Sequence, residues 1–176
     1  MIGAYHGIST VSKLIEDYTW SEISHIAWHE GDLPRVERLI PGLLATLGRS
    51  VQDGRGPIVH EAWGGGVNWK SNVGQDHEAG TVVDLYAVSL DDVQHDDLLL
   101  WLNGQVGMPF DFEAIAGFVL RKDLHSVGKW FCSALDFAGL QAVGIKLFDR
   151  IPAYKVSPGS LITSPLLIPA GSIVTP

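Results

Sequence analysis

A single cysteine among 176 residues leaves the chain no intramolecular disulfide, so nothing covalent holds the fold, and the cysteine count names no redox compartment. Basic residues are also few: 12 Lys and Arg stand against 20 Asp and Glu, a formal net charge of −8. A sequence-independent nucleic-acid binder needs a basic face, so that class is excluded. Apolar runs such as "AIAGFVL" fall far short of the ~20 residues a membrane span requires. The opening "MIGAYHGIST" has neither a basic region nor a continuous apolar one, which reads as no signal peptide. The expectation is a soluble protein, cytoplasmic or virion-associated. Several chemical signatures are missing too. There is no H-E-x-x-H and no clustered Cys/His spacing, no phosphate loop, no G-x-G-x-x-G and no G-x-S-x-G elbow. No metal and no cofactor are therefore expected.

What remains is ordinary globular material, 46% hydrophobic and 18% charged, with the length of one domain. The whole chain, 1–176, reads as one unit. A short helix is expected over Val11–Tyr18, then a strand in "EISHIAWHE" and a helix over Pro34–Leu47. "PIVHEAW" and "TVVDLYAVSL" read as strands, with "WGGGVNWK" a flexible turn between them. "DDVQHDDLLLWLNGQVG" opens on an acidic first turn and carries Val93, Leu98, Leu99 and Leu102 at helical spacing. "MPFDFEAIAGFVL" reads as partly helical, and Phe131, Leu135 and Ala138 mark a face of the helix that holds Cys132. Residues 151–176, rich in Pro, Gly and Ser, read as a tail wrapping the surface with a loosely held end. This order of elements indicates an α+β domain.

A free cysteine commonly packs as a small hydrophobe. A nucleophilic one needs thiolate character from a helix N-terminus, a cation or a base. Cys132 falls in the first turns of its helix, and seven histidines compete as its base. His25 stands out because it occupies an apolar strand, "ISHIAW", where the plainer role is a core imidazole satisfied by backbone. A third, orienting group would come from a neighbouring strand. His60 and Glu61 of "IVHEAW" point to opposite faces, and only the strand register decides which of them meets His25. Asp111 reads as the cap of a local turn.

The ordered set "SHIAW", "IVHEAW", "VGMPFDFEAIAGF", "KWFCSALDFAG" and "SPGSLITSPLL" resembles the YiiX/YaeF-like branch of the NlpC-type papain-like cysteine hydrolases, over residues 5 to 168. That branch is circularly permuted, with the His and its polar partner ahead of the Cys. The resemblance implies a permuted papain-like fold, an antiparallel sheet packed against the cysteine helix. It implies Cys132 as nucleophile, His25 as base and Glu61 as third residue, with His60 the rival third residue. Trp28, Trp63, Trp130, Phe110 and Ser133 are then candidates to line the cleft. Two departures stand out: Ala134 where the family often has an acid, and Phe110 where it often has Tyr. The implied activity is a cysteine amidase or peptidase acting through an acyl-thioester, on a cell-wall peptide or an acyl-amide. The alternative is a non-catalytic module of the same fold in a larger assembly such as a phage tail. Without an export segment, a cell-wall hydrolase would need a delivery partner or a virion.

Overall fold

The computed structural model of the chain describes residues 1–7, 13, 16–17, 21–120, 122 and 124–176, the side chains at 118 and 119 aside. Strands β1 (Ile2–His6), β2 (His25–Glu30), β3 (Ile58–Trp63), β4 (Gly66–Lys70), β5 (Val82–Ala87) and β6 (Ile168–Val174) make one sheet in the order β4-β3-β2-β1-β5-β6. Every neighbouring pair is antiparallel. With the helices below, the architecture is α+β. The helix expected over Val11–Tyr18 lies largely outside the described residues.

The single helix expected over Pro34–Leu47 is two, α1 (Leu33–Leu39) and α2 (Leu43–Thr46). Pro41 has no amide to continue the ladder, and Gly42 takes a φ of +81°, so the chain turns there. Helix α3 (Asp92–Gly104) starts from a capping box in which Asp91 and Gln94 each accept the other's backbone N–H. Leu98, Leu99 and Leu102 are buried beneath it, whereas Val93 faces solvent. Helix α4 (Phe112–Leu120) is capped by Asp111, whose Oδ1 accepts the Ala114 N–H at 2.9 Å; Oδ2 takes His125 Nδ1 and the Ser126 N–H. Helix α5 (Cys132–Ala142) packs across β2 and is buried on nearly every side. Each fully buried Leu or Phe there contributes about 1.5–3 kcal/mol of transfer free energy.

Pleating divides the sheet into two unlike faces. Ile2, Ala4, Ile26, Trp28, Ile58 and Ala62 turn toward the helices and join the main core with Phe131, Leu135 and Cys132. Tyr5, Ala27, Val59 and Val83 turn the other way and form a smaller cluster.

Three strands escape the sequence pattern. "IGAYH" is β1, in the middle of the sheet, and "GVNWK", expected to be flexible, is β4, joined to β3 by a tight turn at Gly64 and Gly65. The tail departs most from expectation. A 3₁₀ turn (Ala153–Lys155) and α6 (Pro158–Leu161) lead into β6, which pairs with β5 from Ala87↔Ile168 to Val82↔Val174. Its last residues are tied down as well, by Thr175 N–H to Thr81 C=O at 2.9 Å. The tail is seated on the cysteine helix by Ser133 Oγ, which donates to Val156 C=O at 2.7 Å. Among the described residues, no helix is long and apolar enough to cross a membrane.

Candidate active site

His25 and Glu61 meet on the face turned away from the helices. His25 Nε2 lies 2.8 Å from Glu61 Oε2, and both side chains are buried. Burial opposes ionisation of Glu61, but hydrogen bonds from His25 and from His77 outweigh it and hold the carboxyl well below its usual range. A carboxylate only accepts, so Nε2 of His25 carries the proton. Nδ1 is therefore the basic nitrogen, and it is buried without a hydrogen-bond partner among the described residues. Burial lowers the His25 pKa despite the bond to Glu61, which keeps the ring neutral.

The rest of this face is also polar. His77 Nε2 donates to the same Glu61 oxygen at 3.1 Å and stacks on Tyr5, ring centroids 4.2 Å apart. The Tyr5 hydroxyl shares a 2.9 Å hydrogen bond with His29 Nε2. Burial pushes the tyrosine pKa up and lowers that of His29 to about 3, so both are neutral. Trp63 meets the His25 ring edge-on at 4.8 Å. Lys70 Nζ stands 4.0 Å from Glu61 Oε1 and is paired with Asp76.

Cys132 approaches from the helix side, at a gap between strands. Met1 and His29 exchange both backbone hydrogen bonds, so alternate residues of β2, among them His25 and Ala27, direct their amides toward β1. Ile26 therefore directs its N–H toward β3. The ladder to β3, however, joins only Trp28–Glu30 to Ile58–His60, and Ile26 lies beyond it. The backbone N–H groups of Ile26 and Ser133 face the Cys132 sulfur and favour its charged form. The thiol thus lies against the peptide unit that links His25 to Ile26. Burial nevertheless pushes its pKa up to about 12, more than these two donors lower it, and Asp136 and Glu61 add to the rise. At rest both the Cys132 thiol and the His25 imidazole are neutral.

The other sequence candidates are dispersed. His60 points into the helix-side core, edge-on to Trp69 at 4.6 Å, so it is Glu61 that meets His25. Trp28 belongs to that core and donates Nε1 to Glu30 at 3.2 Å. Trp130 bonds Gln105 and bridges to Phe110, which packs on Phe112. Ser133 offers its amide to the thiol and its hydroxyl to the tail. Of the five cleft candidates, only Trp63 touches His25. The sequence reading singled out neither His77 nor Tyr5. His77 comes from the loop between β4 and β5, where no periodicity marks it, and Tyr5 is identified only by its register opposite His25.

No family model and no curated protein matches the chain. A solved structure described as that of the metalloprotein yiiX from Escherichia coli O157:H7, DUF1105, superposes with a TM-score of 0.60. The likeness covers 99% of this chain and 96% of that one at 19% sequence identity, and it is a likeness of fold.

Proposed function

We propose that the protein is a cysteine hydrolase of the permuted papain-like kind, cleaving an amide in a peptide or acyl-amide substrate. The observation that carries this reading is the His25–Glu61 couple, in which the carboxylate fixes the proton on Nε2 and leaves Nδ1 as the basic nitrogen. In the reaction, Cys132 Sγ attacks the carbonyl carbon while its proton passes to His25 Nδ1. Glu61 stabilises the imidazolium that forms. The C–N bond breaks as His25 returns that proton to the leaving amine, and water then releases the acyl group from sulfur. Backbone N–H groups at the start of α5 are the donors available to the oxyanion. The raised thiol pKa and lowered imidazole pKa favour transfer during attack over a standing thiolate–imidazolium pair. The neighbour's description as a metalloprotein concerns that protein; at this identity the likeness carries the fold and not a ligand.

The test is intact-mass detection of an acetyl adduct after treatment with p-nitrophenyl acetate. The adduct is expected on the native chain and absent from Cys132→Ala. His25→Ala should slow its formation by about 10²–10⁴-fold, the usual contribution of a general base. Glu61→Gln should slow it as well, and His60→Ala should not. No adduct on native, folded protein overturns the reading. One observation favours the second reading, a binding module that keeps the fold: Cys132 is only 3% exposed and its pKa stands at about 12. That reading predicts iodoacetamide labelling as slow as for any buried thiol, unchanged by His25→Ala.

A further inference from the structure

The geometry points to a second use of the same polar face: His25 Nε2, the Glu61 carboxylate and His77 Nε2 form a three-donor site for a zinc-class divalent cation, and filling it disables His25 as a base. The site itself stands on geometry alone; the disabling of His25 rests on the proposed function.

Three donor atoms, one from each residue, lie within 4.8 Å of one another. Zinc binds nitrogen at about 2.0–2.1 Å and carboxylate oxygen at about 2.0–2.2 Å, which sets tetrahedral donors roughly 3.3 Å apart. The two His–Glu separations, 2.8 and 3.1 Å, need open only by a few tenths of an ångström. Two imidazoles and one carboxylate are also a donor set that zinc uses while keeping a further position open. His25 and Glu61 stand on neighbouring strands, and the stack on Tyr5 orients His77. An independent sign is Glu61 Oε1, a buried carboxylate oxygen without a hydrogen-bond partner among the described residues. A cation at this carboxylate would supply the missing interaction. Lys70 is the opposing charge, 4.0 Å from that oxygen, with its ammonium already engaged by Asp76.

The coupling to the thiol follows from imidazole chemistry. At present Nε2 of His25 bears the proton and Nδ1 the lone pair. A metal on Nε2 takes the lone pair there, so the neutral ring must carry its proton on Nδ1. That nitrogen can then no longer accept the proton of Cys132. Metal occupancy and thiol attack exclude one another.

The full chain, stripped with EDTA, is titrated with zinc chloride by calorimetry and with cobalt(II) by visible absorption. One equivalent should bind to the native protein and to Cys132→Ser with similar affinity. His77→Asn and Glu61→Gln should each weaken binding at least tenfold, with circular dichroism confirming that both variants fold. No binding at millimolar zinc overturns the site, as does affinity unchanged in folded His77→Asn or lost in Cys132→Ser. Saturating zinc should also slow iodoacetamide labelling of Cys132 at least tenfold in native protein, reversed by EDTA. Labelling unaffected by bound zinc overturns the coupling. Absence of the acetyl adduct on the EDTA-stripped chain, which nevertheless binds zinc, would instead refute the hydrolase reading and leave the metal site standing.

Discussion

The helix-side face of the sheet excludes water and is held by shape. The opposite face is also largely closed, yet it is built from Tyr5, His25, His29, Glu61 and His77 and is held by hydrogen bonds and stacked rings. Such faces fail differently. A packed face loses stability with volume removed, whatever the pH. A face that buries His25 and His29 is sensitive to protons, because burial disfavours the charged form of either ring.

Acid should have the largest effect, and it acts on both faces, because each buries at least one imidazole. His29 on the polar face and His60 on the helix side are both held near about 3 against an ordinary 6.5, chiefly by burial. The unfolded chain binds those protons first. Stability is therefore complete above pH 6.5 and falls as pH drops toward 3, by about 1.4 kcal/mol per pH unit for each ring. Urea denaturation at neutral and mildly acidic pH measures the slope. His60→Leu should make it shallower, and an unchanged slope would mean that His60 titrates normally. Next in size is Phe137→Ala on the helix side. Opening a cavity there should cost about 3–5 kcal/mol, equally at both pH values. A pH-dependent loss would blur the distinction between the faces.

Gly3→Ala probes the polar face by volume. A Cβ at Gly3 would come within 2.2 Å of His29 Nε2, so the ring must move and release Tyr5. A loss of about 1–3 kcal/mol is expected, together with a perturbed Tyr5 signal in near-ultraviolet circular dichroism. Retention of both would show that the His29–Tyr5 bond positions nothing. The smallest effect should be Ser133→Ala, about 1 kcal/mol for the single bond to Val156, with no change in acid sensitivity.

The same contrast explains what could be read in advance. Apolar residues at strand and helix spacing announce a packed face, which is why β2, β3, β5, α3 and α5 are legible. Alternation within "IVHEAW" also shows that His60 and Glu61 must diverge, but the choice between them waits on the β2–β3 register. The polar face has no such periodicity. His77 lies 16 residues from Glu61 in a loop, and only the closing of β4 and β5 around it brings the two together. Edge strand β6 was hidden because its residues are mostly exposed, so no burial pattern marks "IPAGSIV" as a strand.

The short ladder between β2 and β3 has a mechanical consequence. Its backbone pairing ties a β4-β3 pair to the rest of the sheet only over Trp28–Glu30, with the His25–Glu61 side-chain bond beyond it, while β1 grips β2 down to His25. The seam is where the sheet has least backbone pairing to lose, and breathing should begin there. At its upper end the Ile26 amide faces the Cys132 sulfur, a weaker acceptor than a carbonyl oxygen. The Ile26 amide should then exchange with deuterium sooner than the Ala27 amide directed toward β1, and the rate of that exchange would report how often the two halves of the sheet part.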